Sequence, residues 1–130
     1  MIEKALKSEL CKIEELQGKV FPTNAPKVNT PYVTYIKTYY KVLKTTVGIT
    51  NDRESSFMIN ILCDSYSQLQ DTTKLVVDLL LTFPLRYIGD ELNNVFIEDF
   101  SLNNVSELYE NELNMYRTVI DIKICYKEGE

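Results

Sequence analysis

The sequence predicts an α+β domain of two layers: a mainly antiparallel sheet of four or five strands packed with two helices. Three observations predict it. Apolar residues recur every three to four positions over 2–17 and again over 66–83. β-Branched and aromatic residues cluster over 32–40, 55–63, 95–102 and 115–126. The helical segments are kept apart by strands, which suits an α+β order rather than a repeated parallel crossover. At 130 residues and 15.1 kDa, residues 1–130 read as one domain.

In chain order, Ile2, Ala5, Leu6, Leu10, Ile13 and Leu16 form one stripe, predicting a helix over 2–17. Gly18 suits the residue after it, where positive φ carries no Cβ clash. Residues 20–31 hold three prolines and read as an extended, stiffened connector. Residues 32–40 (YVTYIKTYY) have strand composition. Residues 42–49 are either its hairpin partner or an ordered loop. In 55–63, Phe57, Ile59, Ile61 and Cys63 share one face, with Met58, Asn60 and Leu62 on the other. A strand apolar on both faces sits centrally or touches another subunit.

A second helix is expected over 66–83. Ser65 with Gln68, or Ser67 with Gln70, has capping-box spacing. Leu69, Thr73, Val76, Leu80 and Phe83 make its stripe, Val77, Leu79 and Leu81 widen it, and Pro84 stops it. Residues 95–102 read as a strand, and 103–114 as a polar acidic loop with room for a helical turn at SELYENE. The strand 115–126 alternates most cleanly: Tyr116, Ile120, Ile122, Ile124 and Tyr126 against Arg117, Asp121 and Lys123.

Hydrophobic residues are 45% and charged residues 25%, the balance of a folded soluble chain. The longest apolar stretch, 75–83, is too short to span a bilayer and carries Asp78. There is no His, which excludes Ser/His and Cys/His nucleophiles and His-ligated metals. Cys11, Cys63 and Cys125 are far apart, form no CxxC pair and read as small core residues in a reducing compartment. No phosphate-binding, zinc-protease or EF-hand pattern occurs. Adjacent strand residues face opposite sides, so Glu98 and Asp99 read as solvated carboxylates, not a shared metal or acid/base site. No cofactor is expected. The net charge of −5 disfavours sequence-specific nucleic-acid binding.

One feature points to assembly. From Leu16 to Asn51 there are five Lys and no acidic residue; from Tyr87 to Tyr116 there are seven acidic residues and no basic one. Patches of opposite sign on one molecule can meet on neighbouring copies, and such heterologous contacts close into rings. The expected interface sets Lys37, Lys41 and Lys44 against the acidic stretch with Glu98, Asp99, Glu107, Glu110 and Glu112. Tyr39 and Tyr40 suit an interface by residue type. Leu79 and Leu81, with Leu62, are surplus apolar groups that such a contact would bury. A rival placement puts the acidic loop in a ring lumen, where like charge keeps passing DNA from sticking. Two other classes fit the same features: a small non-enzymatic binding or regulatory module acting as monomer or dimer, and a His-free enzyme using carboxylates or Tyr.

The ordered segments VFPTNAPKVNTPYVTYI (20–36), FMINILCDS (57–65), YSQLQDTTKLVVDLL (66–80) and YRTVIDIKICYK (116–127) resemble the siphophage tail completion family, also called tail terminator or head–tail joining proteins. The resemblance implies a small α+β protein, no enzymatic activity, and a ring of identical subunits, commonly a hexamer. That ring caps the tail tube and then docks the head connector. The implied partners are other copies, the tail-tube protein and the head connector protein. The implied location is the virion tail, and the bacterial cytoplasm during assembly. By position, Pro31 and Tyr32 correspond to the family's Pro-Tyr at the first strand. Tyr116 and Arg117 correspond to its closing Tyr-Arg, with Arg117 an interface charge. Residues 40–54 and 103–114 match nothing in that pattern.

Overall fold

Strand β3 (Gly48–Cys63) is the spine of a six-stranded mixed sheet, flanked by β2 (Tyr32–Thr45) on one side and β6 (Met115–Lys127) on the other. The computed structural model describes residues 2–23, 29–45, 47–92, 94–112 and 114–127. Strand β1 (Val20–Pro22) lies outside β2 and parallel to it. Strand β5 (Asn94–Glu110) follows β6, and β4 (Tyr87–Gly89) closes the far edge; all these other pairings are antiparallel. The fold class holds as α+β with two helices. The sheet is mainly antiparallel as expected, β1–β2 being its parallel pair, but has six strands rather than four or five. The two additions, β1 and β4, are three-residue edge strands. Such pieces are too short to show a period in the sequence.

Helices α1 (Ile2–Leu10) and α2 (Tyr66–Leu80) pack on one sheet face. Ile2, Ala5, Leu6 and Leu10 of α1, and Leu69, Val76 and Leu80 of α2, are buried. They meet Phe57, Ile59, Ile61 and Cys63 of β3 and Ile120, Ile122, Ile124 and Tyr126 of β6 in one core. The alternation expected for β3 and β6 is therefore the observed one. Leu62 is also buried, at 2% exposure, although it faces away from that core. It is thus withdrawn as surplus surface.

The first helix is shorter than expected. After Leu10 the hydrogen bonds tighten from i+4 to i+3, with Lys12 N–H donating to Glu9 and Ile13 N–H to Leu10. A 3-10 turn over Glu14–Leu16 follows, and Leu16 is still buried. The apolar spacing continued, but it served a tighter path. Gly18 does take positive φ, at 73°, and ends this turn rather than a helix. Helix α2 likewise tightens at its end, Thr82 N–H to Leu79 and Phe83 N–H to Leu80, before Pro84. Its start is settled: Ser65 Oγ accepts from Gln68 N–H at 3.1 Å. Within its stripe Thr72 is buried, and Thr73 is half-buried and shares a 2.9 Å hydrogen bond with Thr118.

Two segments left open or misread by sequence are strand. Residues 42–45 end β2 and 48–49 begin β3 in a paired hairpin, with Lys44 opposite Ile49. Residues 103–110, expected as loop or helical turn, continue β5 to Glu110, with Val105 opposite Ile120 and Tyr109 opposite Tyr116. The ladder to β6 holds this stretch extended, not burial, since Asn103 to Tyr109 are exposed. Of the connector 20–31, residues 24–28 lie outside the described residues, and with them Lys27 of the basic run.

Candidate functional site

The register assigns the charged groups to two ends of the sheet. Strand β2 runs up to Thr45, where the hairpin turns into β3; β5 runs the other way down to Glu110, where it turns into β6. The two hairpin tips therefore point in opposite directions. At a rise of about 3.3 Å per residue, the 16-residue β3 separates them by roughly 50 Å.

At the first end, β6 is last paired at Lys127 with Asp52. Beyond that point β2 and β3 continue as a two-stranded arm to Lys44–Ile49 and Thr45–Gly48. Hydrogen bonds shape its root. Arg53 Nη1 donates to the carbonyls of Thr50 at 2.6 Å and Asp52 at 3.1 Å, and Arg53 Nε donates to Tyr40 Oη at 3.1 Å. Thr50 Oγ1 donates to the Leu43 carbonyl at 2.9 Å. Tyr39, Tyr40, Lys41 and Lys44 are exposed here, and Lys41 stands opposite Glu54. Lys37 is different. Its Nζ lies 2.6 Å from Glu3 of α1 and 4.9 Å from the Tyr40 ring centre. It serves to hold α1 on the sheet.

Glu98 and Asp99 also belong to this first end, beside Lys127 and not with Glu107, Glu110 and Glu112. Glu98 is the extra residue of a β-bulge between Ile97 and Asp99, so strict alternation fails there. Glu98 reaches Lys127 at 3.4 Å, and Lys127 also binds Asp52 at 2.7 Å. That hydrogen bond to Lys127 holds the Asp52 carboxyl below its ordinary range and pushes the Lys127 ammonium up. Asp99 is exposed opposite Cys125 and accepts from Phe100 N–H at 2.9 Å. The expected single acidic patch is thus divided in two.

At the second end, Glu107, Glu110 and Glu112 cluster on the β5–β6 hairpin. Arg117 Nε lies 3.8 Å from Glu110, and its Nη1 lies 3.4 Å from Asn60 Oδ1. Beside them a cleft of about 240 Å³ is lined by Tyr66, Leu69, Glu107, Leu108, Tyr109 and Tyr116. Its walls are rings: Tyr109 meets Tyr116 edge-on at 4.9 Å, and Tyr66 lies 5.7 Å from Tyr116. Tyr66 Oη donates to Glu107 Oε1 at 2.8 Å, and this acceptor raises the phenol's pKa. Sequence reasoning singles out neither Tyr66 nor Tyr109 as a site residue. The signal is the spacing of 109 and 116 about the turn, which makes them register partners in a hairpin.

No family model and no curated protein matches the sequence. Solved structures do match the fold. This chain folds like a chain of a virion. The similar chain, in the virion of a native gene transfer agent (GTA) particle, aligns over 92% of this chain and 84% of its own, with a TM-score of 0.61 and 12% identity. A second solved structure aligns over 99% of this chain and 92% of its own, with a TM-score of 0.60 and 12% identity. Identity at that level establishes a shared fold and nothing finer.

The remaining sequence candidates divide by burial. Leu79 packs against the core, whereas Leu81, just past α2, is 57% exposed. Cys63 is buried, and its thiol is pushed up to about 11 by that burial. Cys11 and Cys125 are half-buried. Among the described residues no helix is long and apolar enough to cross a membrane.

Proposed function

We propose that the chain is a structural component of a phage-like particle. In this reading identical copies form a ring, six-membered as in the resembled family, that caps the tail tube and joins it to the head connector. The observation that carries the reading is the fold shared over nearly the whole chain with a component of a gene transfer agent virion. The polar distribution supports it: exposed Lys41 and Lys44 at one end of the sheet, Glu107, Glu110 and Glu112 at the other. Such a molecule presents unlike flanks to identical neighbours and needs no catalysis. Its partners are further copies, a tail-tube protein and a connector protein, in the virion tail and in the bacterial cytoplasm during assembly. DNA passes through the lumen without being recognised by sequence.

The test is electron microscopy of the purified chain mixed with uncapped tail tubes. Terminal rings on the tubes are expected, and Lys41→Glu with Lys44→Glu should lose them. Tubes left bare by the unaltered chain at saturating concentration would sink the reading.

A further inference from the structure

The arm is built like something meant to be covered. A two-stranded ribbon is marginal in water by itself. From Val42 to Asn51 this one carries a single charge, Lys44, among Val42, Leu43, Val47 and Ile49. Val47 is 96% exposed and Ile49 74%. The cleft at the other end has the reciprocal chemistry: three tyrosines, two leucines and the carboxylate of Glu107. Its volume exceeds that of a cavity able to take a benzene-sized group, about 150 Å³. Aromatic walls of this kind are the usual anchors of protein interfaces. The length of β3 keeps the arm far from the cleft of its own chain.

We propose that the arm of one copy docks into the tyrosine cleft of the next, Ile49 entering between Tyr66, Tyr109 and Tyr116 while Lys44 meets Glu107. The occupant is a second copy, so the contact rests on the assembly reading above and specifies its surfaces. Each copy then gives an arm and receives one, a heterologous contact. The flanking Glu110 and Glu112 add attraction for Lys41, which sets register and speeds encounter.

Sedimentation velocity of the full chain and two variants tests this. The arm variant is Lys44→Glu with Ile49→Asp; the cleft variant is Glu107→Lys with Tyr109→Ser. All four positions are exposed, so circular dichroism should show unchanged folding. The unaltered chain should assemble, and each variant alone should associate at least ~100-fold more weakly, since interface anchors dominate binding. Mixed one to one, the variants should form a dimer and stop, because one intact arm and one intact cleft remain between them. If either variant assembles like the unaltered chain, or the mixture yields no dimer, the arm–cleft contact is wrong while assembly through another surface stands. If the unaltered chain stays monomeric at every concentration, both free and on tail tubes, the contact and the assembly reading fall together.

Discussion

Glu9 and Arg86 form a bridge between α1 and the segment joining α2 to β4, with Oε1 to Nη2 at 3.1 Å. Glu9 is only 1% exposed, and Arg86 is 35% exposed. The carboxylate also accepts from Lys12 at 2.8 Å and from Gly89 N–H at 2.9 Å. The guanidinium in turn donates to the carbonyls of Thr82 and Tyr87. One buried anion thus fastens the N-terminal helix to the far edge of the sheet.

The two partners should not be equivalent on removal. Arg86→Met leaves a buried carboxylate short of its main cation, so a loss of about 3–5 kcal/mol is expected. Glu9→Gln leaves a half-exposed Arg that water and two carbonyls still serve, for about 1.5–3 kcal/mol. Urea unfolding should give these differences at unchanged slope. Equal losses would contradict the asymmetry.

Acid should weaken the fold through the same group. Burial pushes the Glu9 carboxyl up, but hydrogen bonds from Arg86, Lys12 and Gly89 outweigh it and hold the pKa below its ordinary 4.5. The unfolded chain then binds more protons in acid, so stability rises with pH across this range. The contribution is full above about pH 4.5 and is lost as pH falls through the lower folded value. Glu3, paired with Lys37, acts in the same direction. Unfolding free energies between pH 3 and 7 should show this slope, and Glu9→Gln should flatten it.

Ser65→Ala should cost about 1 kcal/mol, the worth of an N-cap, because it strands the Gln68 N–H. Ser67→Ala, inside the first turn, should cost almost nothing. A reversal of the two in thermal unfolding would move the helix start.

Thiol reagents should separate the cysteines. Cys63 is buried and its thiol raised, so little thiolate exists near neutral pH. In the native protein at pH 8, maleimide should modify Cys63 last. Early labelling there, counted by peptide mass, would mean that the core opens readily.

What could be read from the sequence followed from burial. In β6 every second residue from Thr118 to Tyr126 is buried, and the alternation was plain. In the 103–109 part of β5 every residue is exposed and polar residues occupy both faces, so no period marks it. Only its pairing with β6 reveals it, and pairing is a property of two segments. The same holds for charge. Glu98 and Glu107 belong to one acidic run, yet a long strand carries them to opposite ends beside different partners. The lysines expected at an interface are divided by a fact no composition holds: Glu3 of α1 stands within reach of Lys37.

The ladders on both sides of β3 have a mechanical consequence. Its central portion is hydrogen-bonded to β2 and to β6 at once. A pull along this strand loads both rows of bonds in shear, many together, instead of peeling them singly. Tension entering at the arm is therefore shared by two ladders at once along the strand axis.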